Sequence, residues 1–163
     1  MLNRILLIAL VSAVSAFAQS VWNGTANTDW YNETALEFTI TTAEELAGLA
    51  KLVNDGKTFS GNTIKLGANI MLNDTTNWQN WETNPPARTW TAIRGKSNIG
   101  PAQDFNNSFR GVFDGNGYVV SGVYINMSYL PDYASIYQGL FARSSGNISN
   151  LGVSLKEMLL SGG

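Results

Sequence analysis

Short apolar segments separated by Gly- and Asn-rich corners make up most of the chain beyond residue 56, and they restrict what it can fold into. In segments such as 63–66 and 68–72, apolar and polar residues alternate. This period of two is typical of β-strands. The Asp-Gly and Asn-Gly steps at 114–117 are typical of tight turns. Because two-residue hairpin turns between long alternating flanks are missing, the pattern favours a coil of parallel strands, with a β-sandwich as the alternative.

One amphipathic helix is predicted around residues 42–54. Thr42 is a favourable N-cap residue, and Glu45 completes a capping-box pattern three positions later. Apolar residues then recur at helical spacing and form one stripe, which consists of Leu46, Leu49, Ala50 and Val53. The helix is expected to end at the Asn-Asp-Gly segment 54–56, because Gly56 can adopt the left-handed conformation of a C-terminal cap.

Two blocks of the chain carry apolar residues at equivalent positions 28 residues apart. The pairs are Val112 with Leu140, Phe113 with Phe141, Val120 with Ile148, Val123 with Leu151, and Ile125 with Val153. A fixed period of this length, with short strands and glycine turns, is typical of a solenoid whose turns bury their apolar side chains against one another. The paired positions are therefore predicted to form inward-facing rows.

The second block resembles the GLUG motif of secreted bacterial proteins, which reads Gly-Leu-Phe, a short loop, and then Gly-x-Ile-x-Asn-Leu-x-Val. The matching residues lie within 139–153 and are Gly139, Leu140, Phe141, Gly146, Ile148, Asn150, Leu151 and Val153. Segments 109–124 and 38–72 resemble the parts that precede the motif in this family. Ala142 departs from the pattern, since relatives often have Gly at that position.

The resemblance implies a mainly β fold, a right-handed parallel β-helix (a short solenoid) with the helix around 42–54 as its N-terminal cap. It also implies a secreted or cell-surface, adhesin-like bacterial protein. We expect this protein to act without catalysis, by adhesion or binding or as a structural module. The motif is complete only once before residue 163, whereas solenoids need about three repeats and a cap at each end. A fragment of a larger adhesin, or a subunit that stacks on other β-helix subunits, is therefore an alternative.

The first 18 residues have the pattern of a secretory signal peptide. Arg4 precedes an apolar run, and Ala16-Phe17-Ala18 is a small-x-small cleavage site. The run is too short to span a membrane comfortably, and no cluster of Lys or Arg follows it. We expect residues 1–18 to be removed, leaving an exported single domain, 19–163, with no membrane span.

The composition excludes several classes of function. The sequence has no Cys and no His, which removes disulfides, thiolate nucleophiles, zinc–thiolate sites and His-dependent catalysis. Its 10 basic and 12 acidic residues give a net charge of −2, so no strongly basic surface is available for nucleic acid. We expect neither a nucleic-acid partner nor a cofactor.

The best candidate binding surface is the segment Trp78, Gln79, Asn80 and Trp81. Exposed tryptophan rings bind sugar rings by apolar stacking, and Asn and Gln side chains supply hydrogen bonds. The segment therefore predicts contact with a glycan, such as a cell-surface or plant-type polysaccharide. The alternative interpretation is that the tryptophan rings belong to the core.

A carbohydrate-active enzyme, either a polysaccharide lyase or a hydrolase, is the alternative from another class. Hydrolysis needs two carboxyl groups about 5–10 Å apart, and the candidates are Asp104, Asp114 and Glu82. All three lie in turn-like contexts in which acidic residues are common. The Asp-Gly-Asn-Gly segment 114–117 lacks the further acids of a calcium loop and is interpreted as a structural turn. We therefore predict no catalytic residue and no metal site.

Overall fold

A computed structural model describes residues 19–96, 107–126 and 138–158, with side chains as far as residue 154. The predicted signal peptide, residues 1–18, lies outside this part of the chain, and so does Asp104. Within the described residues, no helix is both long and apolar enough to cross a membrane.

Seven short strands in the described part of the chain form two parallel sheets. The strands are β1 (Glu37–Ile40), β2 (Thr63–Leu66), β3 (Ile70–Met71), β4 (Val112–Asp114), β5 (Val119–Asn126), β6 (Asn147–Ser149) and β7 (Gly152–Met158). The larger sheet has the order β1-β2-β4-β6, and the smaller has the order β3-β5-β7. From β2 onward, successive strands therefore belong alternately to the two sheets.

The right-handed parallel β-helix expected from the sequence is wrong. The described residues form a four-stranded sheet, a three-stranded sheet and one helix, an α/β-like arrangement, and no closed solenoid is seen among them. Short strands and Gly- or Asn-rich corners suggested a solenoid, but parallel strands in small open sheets need the same features. Closure depends on pairing between distant strands, and local sequence patterns do not encode that pairing.

The register of the strands also differs from the 28-residue repeat. Phe113 pairs with Ile148 rather than with Phe141, and Val120 pairs with Val153 rather than with Ile148. The side chains of Ile148 and Val153, predicted to be buried in rows, are 37% and 43% exposed. Similar apolar residues recur in both blocks, but the hydrogen-bonded register aligns different members of them.

The helix lies where the capping-box pattern predicts it and is named α1 (Ala43–Asn54). The backbone N–H of Glu45 donates to Oγ1 of Thr42 at 3.2 Å, and the N–H of Thr42 donates to Oε2 of Glu45 at 3.1 Å. These two bonds satisfy N–H groups that the first turn would otherwise leave unpaired. The C-cap is Asp55, and Gly56 follows with φ of +111°.

The two sheets and α1 share one apolar core. Alternate side chains of the larger sheet point into it: Phe38, Ile40, Ile64, Leu66 and Phe113. The smaller sheet contributes Ile70, Val120, Val123 and Ile125, and the helix contributes Leu46, Leu49, Ala50 and Val53. Aromatic rings extend the core, since Phe59 lies 6.2 Å from Phe109 between ring centroids. The predicted apolar stripe of α1 is therefore the face that covers the strands.

Gly48 allows α1 to approach the segment before β1 closely. A Cβ atom at this position would lie 1.8 Å from the backbone oxygen of Asn27. That oxygen is fixed, because Nε1 of Trp30 donates to it at 3.0 Å and the N–H of Asn27 donates to the oxygen of Glu44 at 2.8 Å. The contact therefore needs a residue without a side chain.

We expect Gly48→Ala to destabilise the protein, although alanine is the better helix former by about 1 kcal/mol. The added methyl group would force the helix away from Asn27, and such overpacking typically costs about 1–3 kcal/mol. Chemical denaturation measures the free energy of unfolding. Lys51→Ala, at an exposed position of the same helix, is the control and should change it by no more than about 0.5 kcal/mol. A stabilised Gly48→Ala variant would contradict this packing.

Candidate functional site

The candidate binding segment lies in the connection between β3 and β4. Trp78–Asn80 form one turn of 3-10 helix. The N–H of Trp78 donates to the oxygen of Thr75 at 3.2 Å, and the N–H of Trp81 donates to the oxygen of Trp78 at 3.3 Å. Just before this turn, Asp74 accepts hydrogen bonds from the N–H (2.9 Å) and the hydroxyl (2.6 Å) of Thr76. Local hydrogen bonds thus give this segment a defined shape.

The two tryptophans of the segment have different environments. The side chain of Trp78 is 46% exposed, whereas Trp81 is only 4% exposed. Trp81 packs edge-to-face on Tyr124 of β5, with ring centroids 5.7 Å apart and an interplanar angle of 82°. The glycan-binding interpretation therefore suits Trp78, and the core interpretation suits Trp81. The ring of Trp81 holds the segment against β5, while Trp78 remains partly exposed.

Two exposed amide side chains accompany the accessible ring. Gln79 and Asn80 are both exposed, and neither side chain bonds to another residue within 19–96, 107–126 or 138–158. The backbone oxygen of Asn80 accepts bonds from the N–H groups of Thr83 (3.1 Å) and Asn84 (2.7 Å), which fixes the turn. Both amides can therefore donate and accept hydrogen bonds from the same turn that carries Trp78.

Asn73 fixes the two ends of this connection, and the sequence analysis did not identify it. Its side chain is buried, and Nδ2 donates to the backbone oxygens of Arg88 and Gly122, each at 2.9 Å. The N–H of Trp90 donates to the oxygen of Tyr124 at 2.7 Å. Both ends of loop 74–89 are thus bonded to β5. The only sequence indication was an Asn at the end of an alternating segment, which is equally typical of an exposed turn.

Trp78 is the most accessible of the five tryptophans in the sequence. The indole N–H groups of the three outside the segment donate to backbone oxygens: Trp22 to Thr25 at 2.7 Å, Trp30 to Asn27 at 3.0 Å and Trp90 to Leu140 at 3.2 Å. Trp22 also packs against Trp90 with centroids 6.0 Å apart. These three rings serve the packing of the N-terminal segment and the core.

Hydrogen bonds lower the pKa values of two acidic residues, Asp74 and Asp114. The hydroxyl and N–H of Thr76 lower the pKa of Asp74 below its usual value. The pKa of Asp114 is lowered chiefly by the side-chain amide of Asn150, which donates to Oδ1 at 3.0 Å, and further by the N–H of Asn116. The bond from Asn116 lies within the turn at 114–117, and the bond from Asn150 joins that turn to the residue after β6. Within the described ranges, no three acidic residues lie close enough together to hold a metal ion.

The residues that resemble the GLUG motif lie at the end of the described chain. Leu140 is buried, and Phe141 contacts Phe113 with ring centroids 5.1 Å apart. Gly146 lies so close to β4 that a Cβ would be 2.1 Å from the oxygen of Gly111. The remaining members are Gly139 before Leu140, Ile148 on β6, Asn150 bonded to Asp114, Leu151 packed against the core and Val153 on β7. Their roles in the structure are packing and turn formation.

Comparison with known proteins gives no match to any family model, to any curated protein or to any solved structure.

Proposed function

We propose that this protein is an exported, non-catalytic binding protein that contacts a cell-surface or plant-type polysaccharide through Trp78, Gln79 and Asn80. The observation that carries the proposal is the 46% exposure of Trp78 on a turn anchored by the buried ring of Trp81. The signal-peptide pattern of 1–18 and the resemblance of 139–153 to a motif of adhesin-like secreted proteins support it.

The chemistry of the turn suits a sugar ring. The apolar face of a pyranose packs on an aromatic ring, and its hydroxyl groups bond to amides placed at the edge. Because the turn is already ordered by its own hydrogen bonds, binding freezes little backbone. One aromatic platform gives only weak affinity for a single sugar unit. A polymer offers many equivalent units, so a weak site is sufficient for retention on an insoluble polysaccharide.

The experiment is a depletion assay in which the protein is mixed with a panel of insoluble polysaccharides and the unbound fraction is measured. We expect saturable binding to at least one polysaccharide, and Trp78→Ala should reduce the affinity at least about tenfold, a loss of about 1.4 kcal/mol. The same variant should lose less stability than Trp81→Ala, because Trp78 is 46% exposed and Trp81 only 4%.

Two control variants separate binding from folding and from simple adsorption. Trp81→Ala should lower the free energy of unfolding by about 3 kcal/mol, because it removes a buried ring from Tyr124. Leu36 is a large apolar side chain that is 70% exposed elsewhere on the surface, and Leu36→Ala should leave polysaccharide binding unchanged. Failure to bind any polysaccharide, or equal losses for Trp78→Ala and Leu36→Ala, would refute the proposed function.

A further inference from the structure

The chain contains two Asn-Gly dipeptides, Asn23-Gly24 and Asn116-Gly117, in very different surroundings. In such a dipeptide, the backbone nitrogen of glycine can attack the side-chain carbonyl carbon of the preceding asparagine. Glycine favours this reaction because it has no side chain to obstruct the approach and because its backbone is conformationally permissive. The hydrogen bonds around each dipeptide determine how readily it can react.

At Asn116, the attacking group, the backbone nitrogen of Gly117, already makes a hydrogen bond. The N–H of Gly117 donates to the backbone oxygen of Asn150 at 2.9 Å. The side-chain amide of Asn116 donates to the backbone oxygen of Leu66 at 3.3 Å, which holds it towards β2. Both bonds would have to break before the nitrogen of Gly117 could reach the carbonyl carbon. The fold therefore protects this dipeptide.

At Asn23, the nucleophile is available and the electrophile is polarised. Within the described ranges, neither the N–H of Gly24 nor Nδ2 of Asn23 has a hydrogen-bond partner. Oδ1 of Asn23 accepts from the N–H of Thr25 at 2.8 Å and from its hydroxyl at 2.7 Å. Two donors on this oxygen would stabilise the negative charge that develops on it during attack, as donors do in an oxyanion hole. The side chain is exposed, so water reaches it.

We propose that Asn23 is a site of spontaneous deamidation in the folded protein, and that Asn116 is not. The nitrogen of Gly24 forms a bond to Cγ of Asn23, and the bond from Cγ to Nδ2 breaks. The proton released by the Gly24 nitrogen reaches the departing group through water, so that ammonia leaves and a cyclic imide remains. Addition of one water molecule then opens the imide to an aspartyl or isoaspartyl residue.

The product would change the local charge. The backbone N–H of Asn23 donates to Oε1 of Glu44 at 3.1 Å, so the new carboxylate would belong to a residue whose main chain is bonded to an existing one. Like charges repel each other. The isoaspartyl form also lengthens the main chain between residues 23 and 24. Both changes act on the contact between the N-terminal segment and the first turn of α1.

The test is to incubate the purified full chain at mildly alkaline pH and follow both asparagines by mass spectrometry of proteolytic peptides. In the folded protein, Asn23 should react at least about tenfold faster than Asn116, the factor expected when one strong hydrogen bond must break first. In denaturant the two rates should converge, because the two dipeptides are identical. Thr25→Val removes the hydroxyl donor and keeps the N–H, so it should slow the reaction at Asn23 alone.

Three results would overturn the inference. The first is equal rates at Asn23 and Asn116 in the folded chain, and the second is a faster reaction at Asn116. The third is no reaction at Asn23 over a period in which the denatured chain reacts. An unchanged rate at Asn23 in Thr25→Val would contradict the polarising role of the hydroxyl.

Discussion

Replacing Leu49 with aspartate is expected to unfold the protein at ambient temperature. Leu49 lies in the middle of the apolar stripe of α1 and has no exposed surface. An unpaired carboxylate at this position would lose its hydration without gaining a partner, which costs several kcal/mol. The lost leucine packing adds about 2–5 kcal/mol. Their sum is comparable with the whole stability of a typical domain, about 5–15 kcal/mol. Circular dichroism during heating measures the outcome.

Lys51→Asp is the matched control for this substitution. It introduces the same acidic side chain on the same helix, but at an exposed position. It removes the ion pair with Asp55, adds a like charge near the C-terminal end of the helix and lowers the helix propensity, which together should cost about 1–2 kcal/mol. If Leu49→Asp kept the cooperative unfolding transition of the wild type, the packing of α1 on the sheets would be contradicted.

Gly122→Ala is expected to damage both the smaller sheet and the candidate binding loop. Gly122 has φ of +70°, and a Cβ atom there would lie 2.1 Å from the backbone oxygen of Asn73 and 2.6 Å from its nitrogen. The substitution therefore combines left-handed strain, about 1–2 kcal/mol, with a clash against fixed backbone, typically about 1–3 kcal/mol. Denaturant unfolding should show a loss of about 3 kcal/mol.

The binding loop should respond to the same change, because Nδ2 of Asn73 joins the oxygens of Gly122 and Arg88. Displacement of Asn73 frees the end of loop 74–89, so polysaccharide affinity should fall as well. Gly117→Ala is the control: Gly117 has φ of +79°, but among the described residues no atom beyond its chain neighbours lies within 4 Å of its Cβ position. That variant should show only the left-handed strain. Equal losses of stability in the two variants would contradict the close approach of β5 to Asn73.

The helix was predictable because all of its signals are local. Thr42 and Glu45 lie within one turn, and the apolar stripe repeats at a spacing that is visible in a short window. The buried residues of β2 and β3 were predictable for the same reason, since the alternation of apolar and polar residues shows which side chains are buried. Ile64 and Ile70 are indeed fully or almost fully buried.

The architecture was not predictable from these local patterns. The 28-residue alignment placed Phe113 with Phe141, both aromatic, but hydrogen bonding pairs Phe113 with Ile148. Phe141 instead forms an isolated bridge with Ile93 while its ring packs on the ring of Phe113. A sequence shows that two residues are of the same type. It does not show whether they pair in adjacent β-strands or pack against each other through their side chains in the core.

The candidate site was predictable as a segment but not residue by residue. Trp78 and Trp81 have similar sequence surroundings, and both could have been exposed. What separates them is Tyr124, which lies on a distant strand and packs on Trp81. Asn73 was missed for a similar reason, because its two partners, Arg88 and Gly122, are remote in sequence. Long-range contacts decide which polar and aromatic residues of a loop remain available.

The most direct measurement is an NMR correlation spectrum of the indole N–H groups during titration with a soluble oligosaccharide. The chain has five tryptophans, and Trp78→Ala identifies the signal of Trp78. We predict that this signal moves saturably during the titration. The signals of Trp22, Trp30 and Trp90 should stay in place, because their indole N–H groups are bonded to backbone oxygens. A titration that moves one of those three signals and leaves Trp78 unchanged would contradict a binding surface at Trp78–Asn80.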